Sequence, residues 1–362
     1  MSDHYSGYRI GCYRDPGTVE IVDAPVPKPD PDQVVIKVVV SGSNPKDWKT
    51  PEWLDMRING GDDIAGIVHS VGEDVYEFKP GDRVAAFHEM RTPGGSYAEY
   101  AVAWQHTTSH IPENLSFEGM HKCTAQKLVQ EPPLIHPHPT RGRYIPLAFL
   151  TAVIGNYVRL DLPEPWKPLP EGQKLPFLVY GAASAVGAYA IKLARLSNIH
   201  PIIAVAGNGI PYVDTLLDKS QGDAVIDYRK GNDALIQGIQ SALQASGATE
   251  PIRHAFDAVS EKGSHANIVA VLADDAAVTN VLPVERFAPP GFKYPADKEV
   301  GFVYFRWIFR QIAEGKFKAH PHEVVPGGLA GVSQGLTNLK EGKASAVKYV
   351  FRIADTEGVG KD

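Results

Sequence analysis

The sequence predicts an α/β protein built in two parts, a small barrel-like β unit followed by a doubly wound parallel sheet. Three observations predict it. Short β-like runs crowd the first third of the chain, with Gly and Asp between them. From Phe177 onward, strand-like and helix-like patterns alternate. At the start of that alternation, the apolar run Phe177–Tyr180 ends in a turn of small residues, and a helical pattern opens behind it.

Each element has its own reason. Gln33–Ser41 is dense in valine, whose branched side chain suits a pleated strand. Ile64–Val71, Arg83–Phe87 and Tyr97–Val102 are further short strands, separated by Gly72-Glu73-Asp74 and Gly81-Asp82. Strands this closely spaced suit a barrel better than a layered sheet. Ile145–Val158 carries an amphipathic helical pattern, and a Pro-rich link follows from Leu162 to Pro176. Strands then fall at Phe177–Tyr180, Pro201–Ala206, Ala224–Asp227, His254–Val259 and Val278–Leu282. Helices fall between them, to about Ser197 and around Tyr212–Lys219, Ala234–Ala245 and Lys262–Leu272. Such alternation gives a parallel sheet with right-handed crossovers, whose ligands sit beyond the carboxyl ends of the strands. After a Pro- and Gly-rich loop near Ala288–Lys298, a helix is expected at Val303–Glu314. The closing run Ala346–Arg352 alternates like a strand that adds back to the first unit.

Composition narrows the function. The chain has 362 residues, 36 Lys and Arg against 42 Asp and Glu, and a formal net charge of −6. A mildly acidic chain with no basic run argues against nucleic acid or an anionic membrane as partner. No apolar stretch reaches membrane-spanning length, and Met1-Ser2-Asp3-His4-Tyr5 has no signal-peptide core, so a cytoplasmic location is expected. Cys12 and Cys123 are too few for a disulfide framework or a thiolate zinc site. The segment Gly119–Tyr144 has four prolines and no periodicity. Its His121, Cys123, His136 and His138 lack the spacing and carboxylate support of a metal site, so it reads as a solvent-exposed loop; its length and the Gly119-Met120 junction also fit a translated short intron.

The turn Gly181-Ala182-Ala183-Ser184-Ala185-Val186-Gly187 is where chemistry enters. Small side chains let the backbone approach a pyrophosphate, and the helix start offers amides and a positive dipole. Only two glycines of the usual dinucleotide fingerprint remain, so an ordinary helix packed on a sheet is the competing reading.

The motifs in their order resemble the medium-chain dehydrogenase/reductase superfamily, in its zinc-free quinone-oxidoreductase-like branch, and within it the fungal trans-acting enoyl reductases. The motifs that carry the resemblance are Ser43-Asn44-Pro45-Lys46-Asp47-Trp48-Lys49, Asp63-Ile64-Ala65-Gly66-Ile67-Val68, Gly81-Asp82-Arg83-Val84 and Gly95-Ser96-Tyr97-Ala98-Glu99-Tyr100. Leu150-Thr151-Ala152, the turn at Gly181, Asp227-Tyr228-Arg229, Phe256-Asp257-Ala258-Val259, Val325-Pro326-Gly327-Gly328-Leu329 and Gly342-Lys343-Ala344-Ser345 follow. The resemblance implies a GroES-like β-barrel catalytic domain over 1–150, with 119–144 as an atypical insertion. It implies a Rossmann cofactor domain over 151–300, and a tail over 301–362 that completes the catalytic domain. Metal-dependent relatives carry a cysteine where Asn44 and Pro45 stand, a Gly-His-Glu further on and a four-cysteine lobe, so the resemblance implies no metal here. His69 and His88 are then ordinary surface or core residues.

A site without a metal suits an already polarised substrate: an enone, an enoyl thioester or a quinone. Hydride reaches the β-carbon, and the resulting enolate needs donors and a proton. By resemblance, Lys49 faces the enolate charge, Thr151 places its hydroxyl near the nicotinamide, and Asn44 orders the loop. Read without the family, Lys49 is a solvated charge and Thr151 a helix cap. The expected cofactor contacts are Lys46, Asp47, Gly181, Ala183, Ser184, Ala185, Val186, Gly207, Asn208, Lys219, Tyr228, Val259, Leu282, Ser345 and Ala346. The cofactor is expected to be NADPH, because no acid follows Val205-Ala206-Gly207-Asn208 to take the ribose hydroxyl. Tyr228 stands where the family has an adenine-side tyrosine, or is an edge aromatic. Ser260 departs from the family's usual glycine. The expectation is an NADPH-dependent reductase of activated C=C bonds. Its substrate is a small molecule or an acyl chain carried by a polyketide synthase, and the enzyme is a monomer or homodimer. A quinone reductase and a catalytically silent NADPH-binding chain are the alternatives.

Overall fold

The computed structural model describes residues 8–15, 18–54, 57–113, 115, 117, 143–144, 146–282 and 297–359. Its described residues fall into two compact units, Met1–Leu147 with Lys298–Asp362, and Ala148–Asp297. Residues 119–142 and most of the loop 288–298 lie outside the described residues.

In the first unit, β1 (Tyr8–Asp15) and β2 (Thr18–Ala24) form an antiparallel pair. The valine-rich run becomes β3 (Gln33–Gly42), and α1 (Lys46–Leu54) follows it directly. Next come β4 (Asp63–Val71), β5 (Arg83–Phe87), β6 (Tyr100–Trp104), β7 (Thr108–His110) and the short β8 (Arg143–Tyr144). The strand expected at Tyr97 starts three residues later, because Tyr97 turns into the core and its hydroxyl donates to Asp47.

Helix α2 (Pro146–Val153) begins at the end of the first unit's Met1–Leu147 stretch and, in the second unit, runs into a π-helical segment at Ile154–Arg159 rather than continuing as one α-helix. Such wide turns recur near functional sites. Five strands follow, with helices between them. They are β9 (Phe177–Tyr180), α3 (Ala185–Leu196), β10 (Ile202–Ala206), α4 (Ile210–Asp214), β11 (Ala224–Asp227), α5 (Asn232–Ala245), β12 (His254–Asp257), α6 (Ser264–Val269) and β13 (Ala277–Asn280). All pairings are parallel, in the order β11-β10-β9-β12-β13. The expected helix at 212–219 is cut short, because Leu216 and Leu217 turn into the core instead of continuing the helical face. Its core includes Leu178, Ile203, Val205, Leu235, Ile239, Ala255 and Ile268.

The tail returns to the first unit with α7 (Asp297–Ala313), β14 (His320–Val324), α8 (Gly331–Lys340) and β15 (Lys348–Arg352). Strand β15 pairs antiparallel with the end of β3. Residues 33–37 of the same strand pair with β6, so two strands share one edge of β3. Register shifts between β3 and β4 at Val35/Ile36 and Val38/Val40 curl the sheet, as bulges do. Arg143–Tyr144, expected to end an irregular loop, pair with β14 instead.

Gly66 shows how tightly this sheet is drawn. A Cβ there would sit 2.2 Å from the Lys37 carbonyl oxygen and 2.8 Å from an Ile36 methyl. Backbone cannot yield as a side-chain tip can. Gly66→Ala is therefore expected to cost about 1–3 kcal/mol, read as a lowered midpoint in urea unfolding.

Candidate functional site

The carboxyl edge of the parallel sheet is built from turns. Gly181 ends β9 with φ +77°, and its missing Cβ would meet a Val259 methyl at 2.5 Å. Gly187, in the first turn of α3, lies so close to that turn that a Cβ would be 2.4 Å from the Gly181 oxygen. Only glycine permits either approach. Ser184 caps α3, its side chain accepting the Gly187 amide at 3.0 Å. The Ala185 and Val186 amides stand in the first turn, where no intrahelical acceptor exists. This cradle fits a pyrophosphate, since it offers close backbone, amides and a helix N-terminus without bulky side chains.

The neighbouring strand ends add to that edge. Gly207 and the exposed Asn208 follow β10, and Tyr228 follows β11 with its ring against Gly207. Asp227 ends β11 beside Ala206 of β10. Arg229 donates to both Asp227 oxygens and to Asn208 Oδ1. The Arg229 hydrogen bonds hold the Asp227 carboxyl down at about 2. Val259 follows β12, and Leu282 follows β13. Asp257 accepts the Val259 and Ser260 amides at 3.0 and 2.8 Å, and its other oxygen accepts the Ser264 hydroxyl. Ser260, at φ +57°, takes the left-handed geometry that favours glycine. Its hydroxyl accepts the Val281 and Leu282 amides at 3.0 and 3.3 Å, a tie that glycine would lack.

Lys219 falls elsewhere. It lies in a short 3₁₀ turn leading into the amino end of β11, and its ammonium pairs with Asp214 at 2.7 Å. The sequence pattern marks Asp227-Tyr228-Arg229 as a motif but does not show that Asp227 and Arg229 pair. Thr151 lies half-buried near the end of α2.

In the first unit, the loop after β3 is organised by charge. Asn44 donates through Nδ2 to Asp63 Oδ2 at 3.0 Å, and its amide donates to Asp47 Oδ2 at 2.7 Å. The same Asp47 oxygen accepts the Tyr97 hydroxyl at 2.6 Å. The Lys46 ammonium lies 3.0 Å from Asp47 and 2.6 Å from Asp62, and donates to the Gly60 carbonyl. Lys348, from β15, donates to Asp63 Oδ2 and Asn44 Oδ1, both at 2.7 Å. The Leu147 amide, in the first turn of α2, donates to the remaining Asp63 oxygen at 2.7 Å. Burial pushes Asp62 up to about 7, and the Asp47 and Asp63 charges add to it, against the opposing pull of Lys46. Burial likewise raises Asp47. Lys46 and Asp47, expected as cofactor contacts, thus turn much of their polar surface toward this network. Lys49 is buried on α1, its ammonium 5.3 Å from the Trp48 ring centre and 5.4 Å from that of Trp53. It is not a solvated charge. In the tail, Ser345 is exposed, and Ala346 adopts φ +54° just before β15.

His69 is exposed against Tyr100, whereas His88 is buried and held by Val102 and Thr92. Among the described residues, no group of three or more His, Cys, Asp or Glu side chains is placed to hold a metal ion, and no helix is long and apolar enough to cross a membrane.

Comparison with known proteins bears on this arrangement. The alcohol dehydrogenase GroES-like domain matches residues 30–113. The trans-enoyl reductase fsr4 of Gibberella fujikuroi is 42% identical over 327 residues, 86% of this chain and 89% of that protein. The enoyl reductase component lovC of the lovastatin nonaketide synthase of Aspergillus terreus is 28% identical, over 91% of this chain and 92% of its own. The crotonyl-CoA carboxylase/reductase AntE in complex with NADP shares the fold, with a TM-score of 0.68 at 16% identity over 97% of this chain and 95% of that one. With a barrel-like unit, a parallel sheet and a relative 42% identical over 86% of this chain, the chain belongs to the medium-chain dehydrogenase/reductase superfamily, among the fungal trans-enoyl reductases.

Proposed function

We propose that this chain is an NADPH-dependent reductase of polarised carbon–carbon double bonds, acting in trans on enoyl thioesters carried by a polyketide synthase. The observation that carries the reading is the cradle at Gly181–Gly187, on a chain 42% identical to a named trans-enoyl reductase. The name of lovC supports the polyketide partner.

The cofactor, when bound, supplies hydride to the electrophilic β-carbon. The Ala185 and Val186 amides and the α3 dipole hold its pyrophosphate. Gly207, Asn208 and Tyr228 receive the adenosine end. Arg229 masks the Asp227 carboxylate, which would otherwise repel a 2′-phosphate. That masking supports NADPH over NADH. Lys49 stabilises the enolate oxygen. Lys49 is 6% exposed, and a preorganised charge acts more strongly in such surroundings than in bulk solvent. Asn44, fixed through both its side chain and its amide, keeps that loop in place. The Thr151 hydroxyl is the proposed donor to the substrate carbonyl; Val259 and Leu282 are the second unit's proposed cofactor contacts, and Ser345 and Ala346 those of the first.

Mixing the chain with NADPH and enoyl thioesters, enones and quinones should consume the nicotinamide absorbance fastest with enoyl thioesters. Tight NADPH binding without turnover on any of them would mark a silent chain, and turnover on quinones alone a quinone reductase. Lys49→Met should lower kcat about 100-fold while leaving the NADPH Kd, measured by nicotinamide fluorescence, within a factor of about 3.

The Asp62 carboxyl gives a pH test. It titrates near 7 when folded and near 3.8 as a free side chain, so between these values the folded chain holds a proton that the unfolded chain has lost. This contribution to stability is fully present below about pH 4. It falls as pH rises and is gone above the folded pKa. Asp62→Asn should therefore shrink the loss of urea stability between pH 5 and pH 8 relative to wild type. An equal loss in both proteins would remove Asp62 as its source.

A further inference from the structure

Lys348 is 5% exposed, Asp63 0% and Asn44 6%. The register explains their meeting. Gly42 at the end of β3 is opposite Asp63 on one side and Val350 on the other. Two residues back from Val350 on the same face of β15 stands Lys348, and two residues on from Gly42 stands Asn44. Next to them, Ser43 is bound to the Tyr349 carbonyl by its amide at 2.9 Å and its hydroxyl at 3.0 Å.

Stability alone does not account for a lysine here. Taking two charges out of water costs several kcal/mol per ion before their attraction offsets it. An apolar pair of similar volume is often at least as stable. What an apolar pair lacks is direction. The ammonium donates at once to a carboxylate on β4 and to an amide oxygen on the loop after β3. It also anchors the chain immediately after Ala346, a non-glycine residue at φ +54°, and such a backbone persists only where its surroundings over-determine it.

We infer that Lys348 is a positioning residue: held between Asp63 and Asn44, it fixes the loop 43–49 and the Ser345–Ala346 turn in one arrangement. The roles of Asn44, Lys49, Ser345 and Ala346 rest on the reductase reading; the clamp rests on the geometry. The Lys348 ammonium is engaged by Asp63 and Asn44. It acts through Asn44 on the loop that leads into Lys49, and through the chain on the turn.

The test is the double variant Lys348→Met with Asp63→Asn, which leaves no buried charge without its partner and keeps an acceptor for the Leu147 amide. Hydrogen exchange on the unliganded chain should be at least about 10-fold faster in peptides covering 43–49 and 343–349, with β10 and β12 unchanged. In turnover, kcat should fall about 10- to 100-fold with KM little changed, as expected when reacting groups are misplaced rather than lost. Lys348→Arg keeps the charge and the donors, and should restore slow exchange and most of kcat. Unchanged exchange in the two peptides would overturn the inference, as would an equal rise across all strands of the first unit, which marks a plain stability role. If the double variant does not fold, Asn44→Ala, which keeps the Lys348–Asp63 ion pair and removes only its tie to the loop, is read by the 43–49 peptides, where unchanged exchange overturns the inference. Failure of the reductase reading shows separately, in a wild-type chain that leaves NADPH unoxidised with every enoyl thioester, enone and quinone offered, and leaves the exchange result standing.

Discussion

The Asp63 carboxylate is the constraint on which the first unit depends. It is wholly buried at the start of a central strand, where an unpaired charge would be prohibitive. Its two oxygens receive three donors from three distant stretches of chain: the Asn44 side chain, the Lys348 ammonium and the Leu147 amide. Each donor lies on a segment that the proposed chemistry uses or that leads into one. A buried network of this kind costs solvation and returns a single arrangement, because any slip of register strands a charge.

The second unit solves the same problem by different means. Its functional edge has little buried charge. Glycine does the shaping at Gly181 and Gly187, where backbone must approach backbone. Short polar side chains do the rest: Ser184 caps α3, Asp257 collects the amides after β12, and the Ser260 hydroxyl ties that turn to the end of β13. Amides left over at the helix start are the ones proposed to hold the pyrophosphate. Asp227 is the exception, an acid on the edge proposed to hold phosphate, and Arg229 covers it from two residues away.

How far all this was legible varies by element. The rhythm of strands at Phe177, Pro201, Ala224 and His254 reproduced the parallel sheet to within a residue or so, because strands buried on both faces leave continuous apolar runs. The helices of that unit were placed less well. Tyr212–Lys219 broke into shorter pieces, and Lys219 ended beside Asp214 rather than on the carboxyl edge. Local periodicity does not tell on which side of a sheet a short helix ends. In the first unit, Lys348 did leave a signal. It stands in phase with Val350 on an alternating strand, so a charge occupies an inward position and demands a partner. The tandem Asp62-Asp63 before a strand is the matching signal. Neither says which acid meets which lysine.

The sequence by itself determined the two-part architecture, the small-residue turn at Gly181–Gly187 and the family, since these follow from local pattern: apolar runs, glycine spacing and motif order. Only the tertiary structure decided how the charges pair. Asn44 and Lys348 are 304 residues apart along the chain, and β3 brings them together by pairing with both β4 and β15. Whether a lysine is a solvated charge, as Lys49 reads in isolation, or a buried residue with its ammonium near two indole rings depends on what surrounds it. Burial is a property of the assembled fold, and it sets the strength of every charge within it.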